Sequence, residues 1–356
     1  MKWIAKIRNN KYANIIIRVL IVFATYYFLY RELFAGEKLS IVLDVFYSGK
    51  ESNRNIWLYL IIILLLSPVN WGLETKKWQF LINKIEKISF RKASEAVYSG
   101  ISVSLFTPNR TGEWFGRIFI LEKANHIRSI IVTVLSGMGQ LFTTIITGIV
   151  ATVIFIKLYF IDTYGYSDLF FFSLVSFGLL IIVFSLLIFF NINILPITIH
   201  KIFKKSYKKI NHYVSVVSEY SHKELLTVLL LSFVRFMTFS LQLYLALRMF
   251  SVDIPFFHGL LLIIVFYFVM TVIPTITLAE LGIRGLVSIY LFQLYFQTFE
   301  PANPPPPEIN IVAASYLVWI VNLVIPAIAG TLFVFHLKFI RNTKTGSTVQ
   351  PAENRT

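Results

Sequence analysis

The sequence predicts an all-α integral membrane protein with about eight transmembrane helices and two re-entrant or broken-helix elements. Of its 356 residues, 56% are hydrophobic and 14% are charged, whereas soluble domains carry roughly 25% charged residues. Apolar runs close to the roughly 20 residues that cross a bilayer as a helix recur along the chain. Lysine and arginine gather in some of the intervening segments, as they do in cytoplasmic loops of membrane proteins.

The predicted crossings alternate in direction, and each follows from one apolar run. They are Tyr12–Tyr30, Ile56–Gly72, Ser129–Ile156, Leu169–Phe190, Leu225–Phe250, Phe256–Ile273, Ile283–Phe299 and Ile309–Phe335. The first run is too long for a signal peptide and is interpreted as a retained span. We expect one polytopic domain over 1–337, with halves at about 12–156 and 169–335 that form an inverted repeat. A disordered basic cytoplasmic tail follows at 338–356.

The positions of the charges set the predicted orientation. The formal net charge is +15, and most basic residues fall in five segments: Lys2–Lys11, Lys76–Lys92, Arg110–Arg128, Lys201–Lys223 and Lys338–Arg355. This asymmetry predicts a multi-pass protein of the cell (inner) membrane with both termini in the cytoplasm. Orientation and attraction to anionic headgroups explain the charge better than nucleic-acid binding does. No nucleic-acid partner is therefore expected.

Several kinds of site are excluded by residue type. The chain has no cysteine, so disulfides, thiolate metal sites and cysteine nucleophiles cannot form. The six histidines are scattered and form no HExxH motif. No GxGxxG, P-loop or GxSxG motif is present either. We therefore expect no cofactor, no metal and no enzymatic activity.

Two segments near the middle of the first half are irregular. Trp78–Ile88 alternates apolar and basic residues and predicts a helix lying in the membrane interface, with an ordinary cytoplasmic connector as the alternative. Ala93–Thr107 is short, rich in serine and basic on both flanks. It predicts a re-entrant half-helix that breaks at Pro108 and returns through Glu113–Leu121.

Two stretches, TPNRTGEWFGR and IPTITLAELGIRG, share one pattern: a proline that ends an apolar helix, then a short linker, then E-x-x-x-R around a glycine. The residues are Pro108, Gly112, Glu113, Gly116 and Arg117 in the first, and Pro274, Glu280, Gly282 and Arg284 in the second. Broken helices at matching points of two halves indicate a binding site. The new helix N-terminus favours an anion, and arginine can bind phosphate with two donors.

The two glutamates and two arginines of this pattern are therefore predicted to bind substrate, and its prolines and glycines to be structural breaks. An alternative is that each E-x-x-x-R is an i,i+4 salt bridge that only neutralises two charges. Asn109 and Arg110 are further candidates for substrate binding, although they could also face the cytoplasm.

Arg235, in SFVRFMTFSLQLY, lies too deep in its span to reach the interface easily and must find a partner inside the bundle. Glu113 or Glu280 could supply the carboxylate, and substrate contact is an equal alternative. The third span carries Ser136, Gln140, Thr144 and Gly148 at i+4 spacing. That stripe of small and polar residues predicts close helix packing rather than ligand contact.

The stretches SLFTPNRTGEWFGR, GQLFTT and IPTITLAELGIRG resemble the lysylphosphatidylglycerol synthase transmembrane region family, which includes the membrane half of the multiple peptide resistance factor. The resemblance covers roughly 11–337. It implies a bundle of about eight helices with re-entrant elements that moves an anionic or aminoacylated lipid between leaflets. Asn109, Arg110 and Thr111 depart from the glycine-rich forms of the family, which leaves the headgroup open.

The expected function is thus a flippase-like translocase for an anionic, aminoacylated or polyprenyl-phosphate-linked lipid. Synthase activity is not implied, because the longest segment outside the membrane is far below the roughly 50 residues of a domain. Two alternatives remain open. One is an intramembrane enzyme acting on a lipid-phosphate headgroup, and the other is a membrane partner of a separately encoded glycosyltransferase or lipid-modifying enzyme.

Overall fold

The computed structural model describes residues 11–35, 37–49, 54–107, 111–161, 165, 167–192, 213, 215–273, 277–302 and 305–337. Over these residues the secondary structure is helical and no strand occurs. The helices are α1 Lys11–Tyr30, α2 Lys38–Gly49, α3 Ile56–Ile82, α4 Phe90–Ser104, α5 Gly112–Ile118, α6 His126–Ile156, α7 Asp168–Phe190, α8 His222–Met249, α9 Phe256–Val272, α10 Thr277–Phe299, α11 Glu308–Trp319 and α12 Ile325–Val334.

The prediction of an all-α membrane protein is confirmed. Six described helical segments are long and apolar enough to cross a bilayer: Asn14–Phe34, Ile56–Ile82, His126–Ile161, Asp168–Phe190, His222–Met249 and Glu308–Val334. The last of these joins α11 to α12 through a π-helical turn, Ile320–Val324. The other two predicted crossings correspond to α9, which is apolar but only 17 residues long, and to α10. The cytoplasmic location of the termini stays a prediction from charge.

The third helix corrects one prediction. We expected the span to end at Gly72 and an interfacial helix to occupy Trp78–Ile88, but α3 continues without a break to Ile82. Trp78 is fully buried, and its indole Nε1 donates to Thr133 Oγ1 of α6 at 3.0 Å. Glu74 and Lys77 in the second half of α3 are buried because they pair with each other.

The predicted hairpin is present as α4 and α5, which pack against each other. Ser89 caps α4 by accepting from the Lys92 backbone N–H. Glycines allow the close approach of the two helices: an added Cβ at Gly116 would lie 2.3 Å from the Gly100 Cα, and one at Gly112 would lie 2.3 Å from the Val103 carbonyl oxygen. Gly116 lies inside α5, where it allows close packing. The prediction that it breaks the helix is wrong. That the hairpin is re-entrant stays a prediction.

The second interruption has a different shape. It separates α9, which ends at Val272, from α10, which begins at Thr277 and runs for 23 residues, whereas α5 has only seven. Gly282 lies inside α10, so it also is not a break. The predicted site residues Pro108, Asn109, Arg110 and Pro274 lie outside the described residues. The inverted repeat stays a prediction.

Glu86 joins the loop after α3 to the loop before α6. Its carboxylate accepts the backbone N–H groups of Glu122, Lys123 and Ala124 at 2.8 to 3.1 Å, and Lys92 lies 3.5 Å away. Burial alone would raise the pKa of Glu86, but the three N–H donors and Lys92 outweigh burial and hold the pKa below its ordinary value.

This environment predicts a pH-dependent contribution to stability. The unfolded carboxyl titrates near 4.3, so the contribution is complete above that pH and disappears as the pH falls through the lowered folded pKa. In detergent at pH 7, Glu86→Gln should lower the free energy of unfolding by about 1 to 2 kcal/mol. Denaturant titrations from pH 8 to pH 3 should show that the difference in unfolding free energy between wild type and Glu86→Gln is constant down to about pH 5 and shrinks below it. A free-energy difference that is unchanged at pH 3 would contradict a stabilising role of the charged Glu86 carboxylate.

Candidate functional site: a buried ion cluster on a cavity wall

Glu74 is the centre of a buried ion cluster between α3, α5 and α8. Its carboxylate lies 2.8 Å from Arg117 Nη1, 2.8 Å from Lys77 Nζ and 3.2 Å from Arg235 Nη1. The side chains of Glu74, Lys77 and Arg117 are each at most 5% exposed. One carboxylate therefore holds together three cations from three helices, two of which are distant in sequence.

Arg117 links this cluster to the first E-x-x-x-R segment. Its Nη2 donates to Glu113 Oε2 at 2.7 Å, while Nη1 donates to Glu74. The i,i+4 pair that we considered as an alternative is present, but its arginine is shared with a second carboxylate. With Nη1 and Nη2 both bound to carboxylates, Arg117 is not among the residues that line the cavity.

Arg235 has a different partner from the one predicted. We expected Glu113 or Glu280, but the carboxylate is Glu74. Arg235 also donates through Nε to Asn70 Oδ1 at 3.0 Å and through Nη1 to Gln140 Oε1 at 3.2 Å. Its guanidinium lies over the Trp71 ring at 5.1 Å and near Phe239 at 6.0 Å. These contacts hold the guanidinium plane in one orientation.

A chain of amides continues from Arg235 into the bundle. Asn70 donates to Asn322 at 2.8 Å, Asn322 donates to Gln242 at 2.9 Å, and Gln242 donates to the Ile63 carbonyl at 2.9 Å. Asn322 belongs to the π-helical turn between α11 and α12. Because buried amides are costly without partners, this network fixes α3, α8 and the π-helical turn relative to one another.

The second E-x-x-x-R segment forms a looser pair at the start of α10. Glu280 Oε1 lies 3.6 Å from Arg284 Nη2, and both side chains are about one-tenth exposed. The Arg284 guanidinium lies near the rings of Phe266 and Tyr267, at 5.3 and 5.9 Å. Tyr267 in turn packs edge-on against Phe239 at 4.7 Å. An aromatic pair therefore connects the surroundings of Arg235 and Arg284.

A cavity of about 810 Å³ brings the two segments together. Its lining includes Glu113 from the first segment, Glu280 and Arg284 from the second, and Arg235. Thus four of the seven predicted substrate-binding residues line one cavity. Arg117 lies behind the wall, and Asn109 and Arg110 are outside the described residues.

The small and polar stripe of α6 divides between packing and the cavity. An added Cβ at Gly148 would lie 2.4 Å from the Phe268 ring, so this glycine lets α9 approach α6. Ser136 is fully buried. Gln140 and Thr144, in contrast, line the cavity. The packing interpretation therefore applies to Ser136 and Gly148, whereas Gln140 and Thr144 are placed where they can contact a ligand in the cavity.

The cluster carries more positive than negative charge. Around Glu74, three cations face two carboxylates, Glu74 and Glu113, whereas Glu280 and Arg284 balance each other. In a site of low dielectric constant such a surplus favours an anion. Within the described part of the chain, no group of three or more metal-ligating side chains occurs.

Sequence reasoning missed Glu74, Lys77, Asn70 and Asn322. A signal was present: Asn70, Glu74 and Trp78 recur every four residues, which places them on one face of a continuous helix. We interpreted the charges after Gly72 as the end of a span, because charged residues at depth are costly. Their mutual pairing removes much of that cost.

Comparison with known proteins identifies the family of the chain. No curated protein and no solved structure matches the chain. The family described as lysylphosphatidylglycerol synthase TM region matches residues 15–330, nearly the whole chain. The match covers both E-x-x-x-R segments and every helix that lines the cavity, and it indicates a function connected with membrane lipids. The chain is therefore a multi-pass membrane protein that belongs to the lysylphosphatidylglycerol synthase TM region family.

Proposed function

We propose that this protein is a flippase-like translocase that moves an anionic, phosphate-bearing lipid between leaflets and has no catalytic site of its own. The observation that carries the proposal is the shared cavity, which is lined by Glu113 of the first E-x-x-x-R segment, by Glu280 and Arg284 of the second and by Arg235. Membership of a lipid-related membrane family supports it.

The arginines have the chemistry for a phosphate headgroup. Arg235 and Arg284 line the cavity, and their side chains keep 16% and 10% exposure. Arginine is a strong donor to phosphate. Arg235 uses Nε and Nη1 for Asn70, Gln140 and Glu74, so it would offer Nη2 to a headgroup. Glu74 and the rings of Trp71 and Phe239 hold Arg235 in place, so little side-chain order is lost when a headgroup binds.

Charge favours an anionic headgroup over an aminoacylated one. The surplus of one cation around Glu74 stabilises a phosphodiester, but it repels a headgroup that carries a lysyl amine. Cavity-lining carboxylates remain at Glu113 and Glu280, yet Glu113 is bound to Arg117 and Glu280 to Arg284. We therefore infer an unmodified phospholipid or a polyprenyl phosphate as substrate.

Reconstituted liposomes test this function. Wild-type protein should transfer a fluorescent phosphatidylglycerol between leaflets, and lysylphosphatidylglycerol and phosphatidylcholine more slowly. Arg235→Gln and Arg284→Gln should each lower the rate about 10- to 100-fold, since each removes a charge-assisted bond of roughly 1.5 to 3 kcal/mol. The matched control is Arg248→Gln, whose pair with Asp253 is at the surface and outside the cavity.

Other outcomes separate the alternatives. Transfer that survives both cavity substitutions would remove the proposed site, and preference for lysylphosphatidylglycerol would reverse the assignment of headgroup charge. A change in lipid mass would show an enzyme instead. Activity that requires an added glycosyltransferase would favour the role of a membrane partner.

A further inference from the structure

One part of the cavity wall faces outward between α6 and α9. Gly137 and Leu141 of α6 and Thr271 and Val272 of α9 line the cavity, and all four are also exposed at the protein surface. Leu141 is 42% exposed and Val272 is 64% exposed. Since α6 belongs to a membrane-spanning segment and α9 is an apolar helix beside it, this exposure is to lipid.

The length of α9 explains why the wall opens there. The two helices pack against each other, and they come into close contact where Gly148 meets Phe268. Beyond it α9 ends at Val272, after about 6 Å of further helix, whereas α6 extends about 16 Å from Gly148 back to Gly137. The inner part of α6 therefore lacks α9 as a neighbour on this side.

The opening and the interior of the cavity differ in polarity. Leu141 and Val272 lie at the opening, while Arg235, Glu113 and Glu280 lie on the wall inside. This arrangement matches an amphiphile, with a charged end inside and hydrocarbon at the opening. A soluble anion would make no favourable contact with the apolar side chains of Leu141 and Val272 at the opening.

We propose that lipid enters sideways through this opening, which we call the α6–α9 portal and define by Gly137, Leu141, Thr271 and Val272. The headgroup binds at Arg235 and Arg284 while the hydrocarbon chains stay in the bilayer. This inference rests on the proposed function in assuming a lipid substrate, but it specifies the route of entry.

A steric plug tests the route. Gly137→Trp places an indole in the portal, and it should be tolerated because an added Cβ meets no atom within 4 Å. Leu332→Trp is the matched control, since that side chain is 71% exposed and does not line the cavity. We expect Gly137→Trp to lower lipid transfer at least 10-fold and Leu332→Trp to change it less than two-fold. Equal transfer by both variants, with both folded, would overturn the portal.

A second measurement does not depend on transport. Phosphatidylglycerol with a diazirine near the start of one acyl chain should crosslink to Leu141 and Val272 at least five-fold more than the matched phosphatidylcholine, and Arg235→Gln should abolish the difference. Leu286 and Leu332, at about 70% exposure and outside the cavity, report general lipid contact and should show no difference.

The outcomes distinguish the two proposals. Enriched crosslinks without leaflet transfer would support the portal and refute the translocase. Transfer without enrichment at Leu141 and Val272 would support the translocase and refute the portal. Inorganic phosphate at millimolar concentration should reduce the enriched crosslinks less than two-fold; full competition would identify a site for a soluble anion and overturn lateral entry of lipid.

Discussion

Glu74→Gln should be among the most destabilising single substitutions in this protein. The change leaves Arg117, Lys77 and Arg235 gathered around a neutral amide in the interior. Breaking a buried ion pair by removing one partner costs roughly 3 to 5 kcal/mol, because the remaining charge stays buried without compensation. Denaturant unfolding in detergent micelles should show a loss of that size, or the variant should fail to accumulate as folded protein.

A surface pair provides the control. Glu219 pairs with Arg128, but its side chain is 43% exposed, and such pairs contribute roughly 0 to 1 kcal/mol. Glu219→Gln should therefore be nearly neutral. In the double variant Glu74→Gln with Arg117→Gln, the loss should be smaller than the sum of the two single losses by 1 kcal/mol or more, because the two residues are in direct contact. Additive losses would show that Glu74 does not compensate Arg117.

The second large effect is expected at two helix crossings. Gly330→Ala would place a Cβ 2.0 Å from the Tyr98 carbonyl oxygen of α4, and Gly116→Ala would place one 2.3 Å from the Gly100 Cα. The obstructing atoms are backbone, so a whole helix must move. We expect each variant to lose about 3 kcal/mol or more, at the upper end of overpacking effects, measured by thermal unfolding in detergent.

The matched controls are glycines in helices with open space around them. At Gly72 and Gly282 an added Cβ would meet no atom within 4 Å. Alanine there should be neutral or stabilising by up to about 1 kcal/mol, because it favours the helix more than glycine does. Equal losses at all four positions would show that close contact between helices does not decide the result.

Much of the fold could be predicted because apolar length and charge position act independently of tertiary contacts. The eight runs correspond to eight helical segments, and the break before TGEWFGR follows from local sequence. The end of α3 could not be predicted in the same way. Glu74 is inside because Lys77, Arg117 and Arg235 compensate its charge. Its pairing with two arginines so far away in sequence is not visible in a local pattern. The helix α2 was not predicted, because it lies between the first two apolar runs in a stretch that contains residues of both charges, as loops do.

The candidate site was predicted in outline. The repeated E-x-x-x-R pattern identified Glu113, Glu280 and Arg284, and the structure places all three on one cavity. The role of Arg117 could not be predicted, since whether a guanidinium faces a cavity or a neighbouring helix depends on packing. Whether these residues bind substrate stays a proposal for the transport measurements.

The dependence of α3 on distant cations has a consequence for biosynthesis. Glu74 is synthesised 43 residues before Arg117 and much earlier still than Arg235, so it reaches the membrane before either arginine exists. Lys77, one turn later on the same helix, is the one partner of Glu74 in this cluster that belongs to α3 itself. A charged residue inside a bilayer is costly during insertion, and a pair within one helix lowers that cost before the later helices are made.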